Sequence, residues 1–139
     1  ITASYSQLRA VEVHGELVVR MIDEFPVFAV LATQAEGLTT VRDADELRVK
    51  ESDRISALAA ELRRMGIAIT ERTDGFSING PQQLSAARVN SRADHRLAMS
   101  LAVAALLAQG ESTVERAEAV YESFPGFASA LRELGAEVH

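Results

Sequence analysis

With 139 residues, the chain has room for one domain or part of one. It is 47% hydrophobic and 24% charged, ordinary values for a globular protein with enough apolar material for a core. A net charge of −6 argues against a general binder of nucleic acid or anionic membrane, so any anion binding must be local. The absence of cysteine excludes disulfides and thiolate metal sites and fits a reducing, cytoplasmic setting.

The elements are expected in the following order. Ile1-Thr2-Ala3-Ser4 lacks a basic region followed by an apolar run, so it does not read as a signal peptide. The missing initiator Met suggests a piece of a longer chain. A strand is expected at 8–13. Asp23 and Glu24 then open a helix from Phe25 to Ala32 with Pro26 in its first turn, apolar nearly all round. A strand at 38–43 leads to the charged run Arg48-Val49-Lys50-Glu51-Ser52-Asp53-Arg54, with Ser52 a candidate N-cap. Ile55, Leu58, Ala59, Leu62 and Met65 fall at helical spacing between polar residues, which describes an amphipathic surface helix. Strands at 67–71 and 75–79 flank Thr73-Asp74-Gly75, a hairpin turn, and Asn79-Gly80-Pro81 forms a further turn. After a strand at 87–90 comes Ser91-Arg92-Ala93-Asp94-His95-Arg96, then a second all-apolar helix at 97–108, too short to span a bilayer. Strands at 112–116 and 136–139 complete the series.

The chain repeats itself. Ala35-Glu36-Gly37-Leu38-Thr39-Thr40-Val41 resembles Ala108-Gln109-Gly110-Glu111-Ser112-Thr113-Val114. Leu62-Arg63-Arg64-Met65-Gly66-Ile67-Ala68-Ile69 resembles Leu131-Arg132-Glu133-Leu134-Gly135-Ala136-Glu137-Val138. Both matches are separated by roughly 70 residues, which signals a duplicated supersecondary unit. Each unit reads helix, Gly, strand, helix, Gly, strand, with the Gly where a helix ends in a left-handed residue. The all-apolar helices should be buried on every side, and sheet must then cover them.

Cations at 48–54 and 91–96 precede helices, where partial positive charge already gathers. A bound anion would remove that conflict. Lys50 and Arg54 share a face if helical, and Glu51 beside them could shuttle a proton while they hold an oxyanion. The plain alternative is a solvated helix start with a Glu–Arg pair. Arg96 at the head of a buried helix needs a partner, and a carboxylate or phosphate fits its fork. His95 more often plays a structural hydrogen-bonding part. The other histidines, His14 and His139, offer no ligand spacing, so no metal site is expected. Asp23 and Glu24 are explained by the helix dipole alone. No phosphate-cradling glycine loop, nucleophile elbow or dinucleotide fingerprint is present.

Four blocks occur in order: Met21-Ile22-Asp23-Glu24-Phe25-Pro26, Glu46-Leu47-Arg48-Val49-Lys50-Glu51-Ser52-Asp53-Arg54, Asp94-His95-Arg96-Leu97-Ala98-Met99 and Ser123-Phe124-Pro125. Their spacing resembles the C-terminal part of the EPSP synthase (3-phosphoshikimate 1-carboxyvinyltransferase) family over essentially the whole chain. The resemblance implies an α+β fold of repeated βαβαββ units, helices inside and sheets outside, in a two-domain transferase. It implies transfer of the enolpyruvyl group of phosphoenolpyruvate to the 5-hydroxyl of shikimate 3-phosphate, through a tetrahedral intermediate, without metal or organic cofactor. It also implies a glyphosate target in aromatic amino acid biosynthesis.

By matching motif, Asp23 binds the shikimate hydroxyls and is the candidate base. Lys50 contacts the substrate hydroxyl, and Glu51 handles the proton on the methylene carbon of phosphoenolpyruvate. Arg54 and Arg96 hold its anionic groups, and His95 orients the site. The resemblance places residues 1–139 in the C-terminal domain, as about two repeat units, without the N-terminal domain. The piece alone is then expected to have no turnover and to be open to self-association through an exposed edge or face. Some members carry a Lys just before the Ser/Thr-Phe-Pro block; here Glu122 stands there. Two alternatives remain at this point: the related enzyme that acts on a UDP-amino sugar, and a non-catalytic anion-binding domain.

Overall fold

The computed structural model describes residue 2 and residues 4–139; Ile1 and Ala3, part of the segment read for a leader, lie outside the described residues. The first half of the chain runs β1 (Glu12–Val13), α1 (Glu16–Met21), α2 (Phe25–Ala32), β2 (Gly37–Val41), α3 (Arg54–Arg64), β3 (Ile69–Arg72) and β4 (Gly75–Gly80). The second half runs β5 (Arg88–Asn90), α4 (His95–Leu107), β6 (Thr113–Glu115), α5 (Val120–Ser123) and α6 (Phe127–Glu133). Short 3₁₀ turns occupy Asp45–Val49 and Ala117–Ala119.

Four strands form one sheet in the order β1-β2-β4-β3, and β5 and β6 form a second. β1 lies parallel to β2, while β2–β4 and β4–β3 are antiparallel. Side chains alternate across the pleat. One inward row takes Ile69, Ile78 and Thr39 from facing positions, and the next takes Phe76 and Val41. Against that face pack α2 and α3, and α4 packs on α2. Phe25 at the start of α2 meets Phe76 of β4 edge-to-face, with ring centroids 6.5 Å apart. Both rings are buried, together with Ile55, Leu58 and Leu62 of α3 and Leu97 and Leu101 of α4.

The duplication is visible in the backbone. β5 and β6 are parallel like β1 and β2. Gly37 and Gly110 both take left-handed torsions (φ 101° and 97°) at the entry to the second strand of each pair. α3 and α6 end in the same hydrogen-bond pattern. Gly66 N–H donates to Arg63 O and Ile67 N–H to Leu62 O; Gly135 N–H donates to Arg132 O and Ala136 N–H to Leu131 O. That is the Schellman arrangement, which needs the left-handed glycine the repeat supplies. The outer strands are also tied alike, with the charges exchanged: Glu12 pairs with Arg42 in one half, Arg88 with Glu115 in the other.

Several boundaries differ from expectation for physical reasons. The strands expected to reach 43 and 116 stop earlier, because Asp43 and Arg116 both turn left-handed (φ 60° and 58°). β3 starts two residues late because Ile67 is spent on the helix cap. The strand expected at 136–139 does not form. Ala136 closes the cap of α6, and no partner strand stands beside it among the described residues, as β4 does for β3. A strand exists only with a partner ladder. α2 and α4 are largely buried but not on every side: Leu31, Leu106 and Leu107 are about half exposed. Each helix has neighbours over part of its circumference and a stripe left open.

If the two halves are equivalent, their glycines should respond equally. Gly37→Ala and Gly110→Ala should each cost about 1–2 kcal/mol, because an L side chain is strained there. An added Cβ would also crowd the Cβ of Ala10 or Ala86, at 3.2 and 3.3 Å. Urea unfolding of the two variants measures both costs; a difference well beyond error would break the equivalence.

Candidate active site

The charged blocks meet where α2, α3 and α4 begin. Asp53, not Ser52, caps α3: its carboxylate accepts the Ser56 N–H at 2.9 Å. Asp53 lies one residue closer to the helix and presents its oxygen to the third helical amide. Ser52 instead donates its hydroxyl to Asp94 at 3.0 Å. Lys50 lies outside α3, just after the 3₁₀ turn, so it does not share a helical face with Arg54.

Arg54 is the first residue of α3 and is 1% exposed. Its Nε donates to Asp94 Oδ2 at 2.8 Å and its Nη2 to Asp94 Oδ1 at 3.3 Å. Nη1 reaches Asp23 Oδ1 at 3.0 Å, and Nη2 reaches Glu51 Oε2 at 2.7 Å. The cation that looked misplaced at a helix start is therefore neutralised by three carboxylates of the same chain. A buried guanidinium requires such partners.

Asp94 is fully buried and caps α4 by accepting the Arg96 and Leu97 amides. One carboxylate thus serves as helix cap and counter-ion. Burial by itself would raise the Asp94 carboxyl, but the hydrogen bond and charge of Arg54, the Leu97 amide and the Ser52 hydroxyl outweigh it, and the group sits below its ordinary 3.8. Burial would likewise lower the Arg54 guanidinium, and the hydrogen bond and charge of Asp94, helped by Glu51 and Asp23, raise it instead.

Arg96 is part-exposed. Its Nη1 donates to Asp23 O at 3.0 Å and to Glu24 Oε1 at 3.3 Å, and its Nη2 stands 3.6 Å from Asp23 Oδ2. Asp23 therefore bridges Arg54 and Arg96. Glu24 makes no side-chain cap to α2 and spends its carboxylate on Arg96. Lys50 Nζ pairs with Glu46 at 2.8 Å. That hydrogen bond holds the ammonium above its ordinary range, against some desolvation, and the charges of Asp23 and Arg54 are near enough to act on it. His95 is half-buried as the first residue of α4, next to Arg96.

A cavity of about 230 Å³ adjoins this cluster. Asp23, Glu24 and Arg96 stand against an apolar lining that includes Met99, Val103 and Phe124. Lys50 and Arg54 are not part of that lining. Among the described residues, no three His, Asp or Glu side chains are grouped as metal ligands.

The model of the family described as EPSP synthase (3-phosphoshikimate 1-carboxyvinyltransferase) matches residues 2–131. The chain belongs to the EPSP synthase family. It is 53% identical to the 3-phosphoshikimate 1-carboxyvinyltransferase of Synechococcus elongatus, over 93% of this chain and 29% of that protein. It is 53% identical to the Syntrophomonas wolfei protein of the same name, over 96% of this chain and 32% of that one. The chain thus spans about 30% of the length of the curated relatives it matches. Among solved structures, EPSP synthase from Acinetobacter baumannii superposes with a TM-score of 0.87 at 37% identity, over 91% of this chain and 30% of that one. The enolpyruvyl transferase NikO from Streptomyces tendae superposes at 0.77 with 23% identity, over 97% and 30%, and shares the fold.

In this family member the blocks at Asp23, Glu51–Arg54 and Asp94–Arg96 are joined by the ion pairs of Arg54 and Arg96. One contributor, Asp94, escaped the motif reading, in two roles. Asp94 was assigned no role, although an Asp just before an apolar helix is a legible cap signal. Its second role, as counter-ion to Arg54, joins residues 40 apart in sequence and leaves no local trace. The Arg54–Asp94 pair makes two predictions. Asp94→Ala, by stranding a buried guanidinium, should cost about 3–5 kcal/mol, read as a lower urea midpoint. Because the folded Asp94 carboxyl is depressed, its contribution is complete above 3.8 and is lost as pH falls through the lower folded value. Asp94→Asn should flatten that acid limb of the stability curve; an unchanged acid limb would show that Asp94 does not carry it.

Proposed function

We propose that the protein containing this chain transfers the enolpyruvyl group of phosphoenolpyruvate to the 5-hydroxyl of shikimate 3-phosphate, in the cytoplasm, and that residues 1–139 form part of its C-terminal domain. The observation that carries this reading is the shared ion network, Arg96–Asp23–Arg54–Asp94, which gathers three motif blocks at one place. Both substrates are multiply anionic, so the reaction needs fixed cations and a positioned acid.

The chemistry divides among the residues as follows. Asp23 takes the proton of the attacking hydroxyl as its oxygen bonds to C2 of phosphoenolpyruvate. A proton adds to the methylene carbon from Glu51, giving the tetrahedral intermediate. Loss of phosphate, which carries off the proton held by Asp23, with return of a methyl proton to Glu51 regenerates the double bond. Lys50 contacts the substrate hydroxyl and the intermediate, and His95 orients the site. Arg96 holds the carboxylate of phosphoenolpyruvate. Arg54 contributes through Nη2, now bonded to Glu51. Glu51 is about half exposed, so an arriving carboxylate can take its place on Arg54, and Glu51, once displaced, takes up from solvent the proton it gives to the methylene carbon. Arg54 stays fixed meanwhile by Asp94. No step is assigned to a cofactor. Glu122, exposed before Ser123, offers no cation where some members have Lys.

The half-exposed Leu106 and Leu107 support self-association of the isolated piece, which light scattering would reveal as a mass above one chain.

Arg96→Ala in the full-length protein should cost about 2–5 kcal/mol of transition-state stabilisation, if the arginine pairs a desolvated anion. Steady-state kinetics with varied phosphoenolpyruvate measures it, and unchanged kinetics would refute the assignment. Glu51→Gln should abolish most turnover while leaving binding of shikimate 3-phosphate in place. Offering a UDP-amino sugar in place of shikimate 3-phosphate separates the two enolpyruvyl acceptors: turnover on the sugar would overturn the reading.

A further inference from the structure

Glu61 is a second buried charge that the proposed chemistry leaves unused. It lies on α3, is 2% exposed, and shares the face of Arg54 and Leu58 by helical spacing. Its Oε2 accepts the backbone N–H of Asn90 at 3.0 Å. Arg64 Nε stands 3.4 Å from the same oxygen, and Arg92 Nη2 stands 3.8 Å from Oε1. Two carboxylate pins therefore join α3 to the segment 90–94. Glu61 holds Asn90 at one end, and Arg54 holds Asp94 at the other. The two anchors are about 10 Å apart along the helix.

Between the pins the backbone is strained. Arg92 and Ala93 are consecutive left-handed residues, with φ of 56° and 60°, and neither is glycine. L side chains rarely adopt this conformation, and it persists only where its surroundings determine it. Local bonds help: Arg92 N–H donates to Asn90 Oδ1, Ala93 N–H to Ser91 Oγ, and Asp94 N–H to Ser91 O. All of these travel with the segment itself. The Glu61 bond ties its start to the core of the domain. The residues that follow the turn are the cap Asp94, then His95 and Arg96.

We propose that Glu61 is a positioning residue for Arg96: by accepting the Asn90 amide from α3, it sets the left-handed turn that directs the head of α4 toward the substrate anion. This rests on the function proposed above. A purely structural Glu61 would contribute to stability without favouring one substrate. A positioning Glu61 acts on phosphoenolpyruvate, which Arg96 holds, and spares shikimate 3-phosphate.

The test uses the full-length protein with three substitutions. Glu61→Leu removes the acceptor at similar volume. Glu61→Asp keeps the charge but withdraws the oxygen by one methylene. Glu61→Gln keeps the oxygen in place. The Leu and Asp variants should raise the KM for phosphoenolpyruvate roughly tenfold, since small misplacements of a binding group are costly. Their KM for shikimate 3-phosphate should stay within about twofold, and Gln should restore most of the loss. Hydrogen exchange at the Asn90 amide should quicken in Leu and Asp and stay slow in Gln. If the Leu variant does not fold, the Asp variant decides. Unchanged phosphoenolpyruvate KM in a folded Asp or Leu variant, or equal shifts for both substrates, would overturn the proposal. Wild-type protein without turnover would overturn the function instead, and exchange at Asn90 still reads the pin.

Discussion

A guanidinium removed from water must find counter-charges of matching geometry, and Arg54 is removed almost completely. That requirement organises the site. Asp94 supplies two hydrogen bonds, and Asp23 and Glu51 supply one each. These partners come from three separate stretches of chain. Satisfying one side chain therefore brings the starts of α2, α3 and α4 together. Asp94 doubles the constraint, because the carboxylate that neutralises Arg54 also caps α4. The helix carrying Arg96 then has its first turn set by the same contact.

The internal repeat explains how such convergence arises. α2 and α4 occupy corresponding places in the two halves, each lying between the two strands of a parallel pair and followed by a left-handed glycine. The helices pack on one another, so their starts lie close. The repeat is kept where backbone geometry demands it, in the left-handed glycines and the Schellman ends. It is abandoned at the starts of the two helices. Asp94 caps its helix, while Glu24 at the corresponding start of α2 caps nothing and faces Arg96.

The chain is acidic overall, and its cations at the helix starts are paired. Each cation of the cluster has a carboxylate partner, but the partners are of two kinds. Asp94 is buried and permanent; Glu24, Glu46 and Glu51 are more than half exposed. Exposed partners contribute little to stability and exchange readily. The buried Arg54–Asp94 pair therefore carries the geometry of the cluster, and the exposed pairs add little to it.

Much was legible in the sequence because it depends on neighbours in sequence. The hairpin at Thr73-Asp74, the repeat and the motif blocks survive in the folded chain. The fold class and the family followed from them. By contrast α3, expected as a surface helix, also buries Arg54 and Glu61 from its polar set and leaves only Arg63 and Arg64 exposed. What the sequence did not reveal depends on partners distant in sequence. The terminal segment 136–139 has strand composition but no ladder partner among the described residues, so it stays irregular. Ser52 looked like a cap, and a donor bond to Asp94 took it elsewhere. Arg54 read as a cation misplaced at a helix start, and tertiary packing buried it against three carboxylates. Local pattern determined which elements form, through backbone preferences and hydrophobic period. Which charges face solvent and which face one another was decided only when the helices packed, because desolvation and pairing are properties of three-dimensional neighbours.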